Sequence, residues 1–268
     1  SEMCIRDSYK DGRLCENMNI EKKDLNTLPL LTIPVDTHNN GGNLYIANEK
    51  TIYKTFRDLY AFQEEIERNI TFQINHPIPN TPRIYDKLFK EETFFGYSME
   101  YIQNAKTFRK AINSHIHPEA KQKACQNIYT ALKFLHQNSI FLGDIHLDNF
   151  LITPTGDGYI TDLDYMRFPG DEYKFPQCYL ICPNSGTNKI NIASKYTDNI
   201  KVMISCLSLW LGIDLEQYID PNTHAINIEE LYYQVILPLN QPDLNEYFRR
   251  IQNLSLIHIS EPTRHLRI

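Results

Sequence analysis

Everything in this chain has to accommodate one stretch, residues 141–166, F-L-G-D-I-H-L-D-N-F-L-I-T-P-T-G-D-G-Y-I-T-D-L-D-Y-M. It reads as strand, tight loop, strand, turn, strand. Phe150, Leu151 and Ile152 form an apolar strand, and Gly156-Asp157-Gly158 is a hairpin turn of the Asp-Gly type. Tyr159, Ile160 and Thr161 return, so the hairpin delivers Asp162 beside Asn149. Asp144 lies five residues ahead of Asn149 in the same loop. Hard oxygen ligands converging in this way suit Mg²⁺, which keeps several waters and binds through one or two side chains plus substrate phosphates.

Composition bounds the class. With 268 residues, 42% apolar and 22% charged, the chain can form one large domain or two small lobes sharing a cleft. A net charge of −6 argues against non-specific nucleic-acid binding and supplies no basic stripe for a membrane surface. No apolar run reaches the ~18–20 residues that a spanning helix needs, and no segment has a signal-peptide layout. Cys4, Cys15, Cys125, Cys178, Cys182 and Cys206 lack zinc-finger spacing and read as free thiols in a reducing cytoplasm. S-E-M-C-I-R-D-S at the start and L-S-L-I-H-I-S-E-P-T-R-H-L-R-I at the end resemble translated sequencing-adapter read-through. The expectation is a domain cut short at both ends, with residues 1–28 an artefactual or mobile lead-in and 254–268 a non-native tail.

Residues 30–33 read as a short edge strand between Pro29 and Pro34. His38-Asn39-Asn40-Gly41-Gly42 is a turn-rich loop, followed by strands over 43–47 and 51–56. Leu59, Phe62, Ile66, Ile70 and Ile74 recur at helical spacing, with Glu64, Glu65 and Glu67 on the same helix. Residues 83–89 and 93–101 form a hairpin around Lys90-Glu91-Glu92. A short helix over 107–116 precedes a long one opened by His117-Pro118-Glu119, with Pro at the first helical position and acid in the first turn. Its buried stripe is Ala124, Ile128, Ala131, Leu132 and Leu135, and His136 reads as a packed or capping histidine. Asp198 opens D-N-I-K-V-M-I-S-C-L-S-L-W-L-G, apolar nearly all round and expected in the core. Residues 226–252 add one or two amphipathic helices.

An Asp followed by Asn five residues on, then a hairpin and a second Asp, resembles the signature of the protein kinase-like superfamily. Other segments are similar to that family's patterns: T-I-Y-K-T-F (51–56), N-H-P-I-P-N-T-P-R-I-Y (75–85), S-M-E-Y-I (98–102) and A-L-K-F-L-H-Q-N-S-I-F-L-G-D (131–144). The resemblance implies an α+β fold of two lobes. A small antiparallel-sheet N-lobe with one helix would span 29–102, and a mainly helical C-lobe 103–253.

It also implies roles. Asp144 would accept or orient the acceptor hydroxyl proton, and Asn149 and Asp162 would hold Mg²⁺. Lys54 would meet the ATP phosphates and pair with Glu67, with Glu64 the runner-up. Gly41 and Gly42 would approach the phosphates through their backbone, although a plain hairpin turn is equally open. Met99 would border the adenine pocket, and the backbone of Glu100, Tyr101 and Ile102 would read the adenine. Asp198 would hold the catalytic loop. His146, counted with Asp144 and Lys54 as catalytic, stands where Ser/Thr protein kinases carry a phosphate-contacting Lys. Aminoglycoside and choline kinase-like proteins often carry His there and Gly at the position of Gly143. The chain departs from the family in Leu142-Gly143 for His-Arg, in Leu163-Asp164 for Phe-Gly, and in lacking Ala-Pro-Glu after residues 163–196. The expected activity is ATP- and Mg²⁺-dependent phosphoryl transfer to a protein Ser or Thr hydroxyl, in the cytoplasm. The alternatives are a small-molecule hydroxyl kinase and a nucleotide-binding pseudokinase. Neither nucleic acid nor membrane is an expected partner, and no obligate oligomer is implied.

Overall fold

Phe94, Tyr97, Ser98 and Met99 are all buried, and a strand apolar on both faces belongs in the middle of a sheet. That is where the computed structural model places them. It describes residues 18–20, 22–30, 42–56, 63–142, 144–168, 171, 195–218, 228–242 and 245–246. Gly41, Gly143, Leu59, Phe62, Cys4, Cys15, Cys178, Cys182 and the turn-rich segment after Asp171 lie outside the described residues, as do both terminal stretches. The architecture is mixed α+β, with a five-stranded and a three-stranded sheet and several helices. It divides into two units. One takes in the chain to Pro77 together with Arg83–Tyr101, and the other Ile78–Pro82 and the chain from Ile102.

The first unit comprises β1 (Met18–Asn19), α1 (Lys22–Leu25), β2 (Asn43–Asn48), β3 (Thr51–Thr55), α2 (Gln63–Asn75), β4 (Ile84–Lys90) and β5 (Thr93–Glu100). Its sheet runs β1-β4-β5-β3-β2. The pairings are antiparallel except that β1 runs parallel to β4, Met18 opposite Leu88. The sheet is therefore mixed, where an antiparallel one was expected. Residues 18–25, read as lead-in from composition, contribute this strand and the buried Leu25. Ile66 and Ile70 seat α2 against β4 and β5. Gly42 has a packing reason of its own: a Cβ there would lie 1.4 Å from the Thr55 carbonyl oxygen, where β2 closes on β3.

The second unit comprises β6 (Lys106–Thr107), α3 (Phe108–Ile112), α4 (Pro118–Gln137), β7 (Phe150–Ile152), β8 (Gly158–Ile160), α5 (Lys195–Leu211) and α6 (Ile228–Leu231). Strands β6, β7 and β8 form the three-stranded antiparallel sheet. His117 caps α4, its Nδ1 accepting from the Glu119 N–H at 3.4 Å, and Pro118 opens the first turn. The stripe Ala124, Ile128, Ala131, Leu132, Leu135 is buried as the periodicity requires. Most of α5 from Lys201 to Leu209 is buried, and Met203 and Ile204 pack on Leu215, Leu231, Tyr232, Val235 and Ile236. Cys125 and Cys206 are free thiols on the facing helices α4 and α5.

The hairpin that carries Asp162 is seated on α4 through glycine. A Cβ on Gly158 would lie 2.3 Å from the Ala124 carbonyl oxygen, and one on Gly156 2.7 Å from the Ala120 Cα. Because Gly158 already belongs to β8, the connection is a loop over 153–157 rather than a tight Asp-Gly turn, with Gly156 at φ 83°. Gly158→Ala should therefore force the hairpin off α4 and cost about 1–3 kcal/mol. A lowered urea midpoint with an unchanged m-value checks this; an unchanged midpoint counts against the contact.

Candidate active site

The loop carrying Asp144 starts where α4 stops. Ser139 takes a left-handed φ of 57°, its N–H donates to the His136 carbonyl at 3.2 Å, and the Ile140 N–H donates to the Leu135 carbonyl at 2.9 Å. Such paired bonds close a helix and turn the chain sharply. Phe141 then bridges Arg167, each N–H donating to the other's carbonyl at 2.9 and 2.8 Å. The Leu142 N–H donates to Asp198 Oδ2 at 2.9 Å, and His136 Nε2 lies 2.9 Å from the same oxygen. Asp198, 1% exposed, thus holds the loop two residues before Asp144. Burial pushes its carboxyl upward, only partly offset by the His136 bond, the Leu142 amide and the charges of His136 and Lys201.

His146 sits at the middle of the loop. Its Nδ1 accepts from the Asp148 N–H at 3.3 Å, and its Nε2 lies 3.4 Å from Asp144 Oδ2. With Nδ1 accepting, the ring proton is on Nε2 and faces Asp144. Burial favours the neutral ring, but the Asp144 hydrogen bond and the charges of Asp144, Glu216 and Asp148 outweigh it. The imidazole therefore titrates above its usual value.

Asn149, 4% exposed, donates from Nδ2 to the Asp144 carbonyl at 3.3 Å. Its own carbonyl accepts from the Thr161 N–H at 2.8 Å and from Thr161 Oγ1 at 3.2 Å. Phe150 faces Ile160 across β7 and β8, so Asn149 faces Thr161 and Asp162 comes next. Asp162 adopts φ 62°, ψ 45°, a left-handed conformation that costs a non-glycine residue about 1 kcal/mol. That turn leads the chain out of β8 into a short 3₁₀ turn at Leu163–Tyr165, and strain of this kind collects at functional positions. One loop and one hairpin thus bring Asp144, Asn149 and Asp162 to the same end of the small sheet. An amide oxygen and a carboxylate fit Mg²⁺ when substrate and water complete the shell. Among the described residues, no group of three or more His, Cys, Asp or Glu is arranged to hold a metal unaided.

The first unit holds the other expected residues. Lys54 is 7% exposed on β3, with Nζ 5.5 Å from the Phe56 ring centroid and 6.0 Å from that of Tyr97. Glu67, assigned from sequence to Lys54, accepts from Lys87 Nζ at 2.7 Å, because Lys87 lies on the strand against which α2 packs. Glu64 is exposed. Met99 is buried between Ile52 and Ile84. The Glu100 N–H donates to the Arg83 carbonyl and the Tyr101 N–H to the Lys50 carbonyl, both at 2.8 Å. Of the three amides expected to serve a base, those two are already engaged in the fold.

Sequence reasoning missed Thr161, whose only signal was its place before Asp162. It also missed Arg109, Asp148, Asp214 and Glu216, which meet at the far end of the loop. Compared with known proteins, the chain matches no family model and no curated protein. No helix among the described residues is long and apolar enough to cross a membrane.

Proposed function

We propose that the chain is an ATP- and Mg²⁺-dependent phosphotransferase of the protein kinase-like superfamily, transferring a phosphoryl group to a hydroxyl. The observation that carries this reading is the pair of hydrogen bonds that Thr161 donates, from its N–H and its Oγ1, to the Asn149 main-chain carbonyl, at 2.8 and 3.2 Å. It ties the main chain at Asn149 to the residue before Asp162, at the end of the loop that holds Asp144, and so supports the two serving one site. A two-lobed kinase-like arrangement of the two units belongs to the same proposal.

Phosphoryl transfer needs alignment and charge neutralisation more than covalent help. Asp144 would accept a hydrogen bond from the acceptor hydroxyl and take its proton, with His146 orienting the carboxylate. Asn149 and Asp162 would hold Mg²⁺, which supplies charge neutralisation at the phosphates. Lys54, a buried ammonium fixed against two aromatic rings, would meet the nucleotide phosphates. Glu67 is the weaker part of that assignment, since Lys87 holds it. If the backbone after Met99 reads adenine, the donor falls to the Ile102 amide, since Glu100 and Tyr101 use theirs elsewhere.

A protein Ser or Thr hydroxyl stands first as acceptor, on the interlobe, helix and hairpin segments. A small-molecule hydroxyl stands second, favoured by His146: it is tied at both ring nitrogens, where a Ser/Thr protein kinase presents a mobile Lys. Incubating the full chain with Mg²⁺-ATP and either mixed proteins or a sugar and aminocyclitol panel decides between them. Phosphoserine or phosphothreonine supports the first and a phosphorylated small molecule the second. Nucleotide binding without turnover would make the chain a pseudokinase, and no Mg²⁺-nucleotide binding at all would end the proposal.

A further inference from the structure

The loop from Leu142 to Asn149 is held at both ends. Asp198 grips its start, and a four-residue ionic cluster grips its end. Arg109, on α3, donates from Nε to Asp148 Oδ2 and from Nη1 to Asp214 Oδ2, both at 2.6 Å, and from Nη2 to Glu216 Oε2. The second oxygen of Glu216 accepts the Leu147 N–H at 2.7 Å, and Thr107 Oγ1 donates to the second oxygen of Asp148 at 3.4 Å. Asp214 accepts the Glu216 N–H at 2.9 Å, and the Leu215 N–H donates to Ser208 Oγ at 3.2 Å, which ties the group to α5. We infer that Arg109 is a positioning residue, which acts through Glu216 and Asp148 to set the turn between Asp144 and Asn149.

The chemistry of the group demands an arginine. A planar guanidinium presents separate N–H donors to three carboxylates at once, whereas an ammonium is a point charge. Without that cation, Asp148, Asp214 and Glu216 would repel each other. Leu215, between Asp214 and Glu216, is bonded to α5, so that segment is held and Asp148 is the member that would move, with Asn149 adjoining it. Glu216, 16% exposed and flanked by no other described cation within hydrogen-bond reach, would lose the partner that orients its bond to Leu147. These pairs are partly exposed, so their effect on overall stability is modest. Their effect on alignment is larger, since a displacement of about 1 Å near reacting groups costs up to ~100-fold in rate.

The catalytic part of the inference rests on the phosphotransferase reading, and the test separates the two. Full-length wild type, Arg109→Met, Arg109→Lys and Glu216→Gln are compared by Mg²⁺-ATP turnover and by amide hydrogen exchange of the peptide covering 142–149. Arg109→Met should lower kcat ~10–100-fold, leave KM for ATP within about twofold, and speed exchange in that peptide. Arg109→Lys should recover only part of kcat, and Glu216→Gln, which keeps an acceptor for Leu147, should lose less. Unchanged kcat, or unchanged exchange, in Arg109→Met overturns the inference. Should Arg109→Met not fold, unchanged kcat or exchange in Glu216→Gln overturns it instead. If wild type turns over no ATP, the functional reading fails, and exchange alone decides whether Arg109 holds the loop.

Discussion

Asp162→Asn should lower Mg²⁺-dependent ATP turnover by roughly 10²–10³-fold, the usual loss when one charge-stabilising group leaves a transition state. The substitution removes a charge and keeps the shape of the side chain. Asn is isosteric with Asp and tolerates left-handed backbone, so the φ of 62° remains accessible. The Thr161 bonds to the Asn149 carbonyl involve no atom of residue 162. With backbone and shape kept, Asp162→Asn should cost less stability than Asp162→Ala. Asp162→Ala should lose as much activity and cost about 1 kcal/mol more stability than Asp162→Asn, because Ala is strained at positive φ. Turnover at saturating Mg²⁺ and ATP, set beside urea midpoints for both variants, measures the two effects separately. An Asp162→Asn protein that turns over ATP like wild type would show that this carboxylate holds no metal.

The parts of the fold that could be read from sequence are those whose physics is local. The stripe of α4 follows from a 3.6-residue period and its start from Pro118, whereas the chain reversal at Ser139 that ends it gave no such signal. Apolar β7, the glycines and β8 predicted a hairpin, and hence the meeting of Asn149 with Asp162. Even there the sequence showed one role of the glycines and hid the other: Gly158 is needed as much for contact with Ala124 as for any turn. What was illegible depends on distant pairing. β1 is two residues long and finds its parallel partner 70 positions away, so composition alone read it as lead-in. Arg109 reaches carboxylates 39, 105 and 107 positions away, and no spacing rule links them. Glu67 was assigned by counting along a pattern, but its neighbour is set by which strand α2 packs on. The resemblance gave Asp198 the task of holding the loop; that one oxygen serves both His136 and Leu142 needed coordinates.

That shared oxygen makes Asp198→Ala the change expected to cost most in stability, about 3–5 kcal/mol. Asp198 is buried, and so are both groups it serves, the His136 ring and the Leu142 amide. Alanine removes the acceptor but leaves the donors inside, each bearing the desolvation cost of an unmade hydrogen bond, about 1–3 kcal/mol. The Lys201 ammonium, also buried and attracted by the Asp198 charge, adds to the loss. Asp198→Asn can set its one oxygen against both donors but loses the charge that His136 and Lys201 face, so its cost should lie between wild type and Asp198→Ala. For a unit of this size a loss of 3–5 kcal/mol lowers the melting temperature by roughly 10 °C. The damage should also be directional. Leu142 N–H is the bond that fixes where the loop leaves α4, so exchange in residues 140–149 should rise more than in β7 and β8, whose ladder is intact. Calorimetry and exchange on the full chain give both readings. A melting temperature within 2–3 °C of wild type, a shift that corresponds to about 1 kcal/mol, would mean that water or another acceptor replaces the carboxylate and that Asp198 does not suspend the loop.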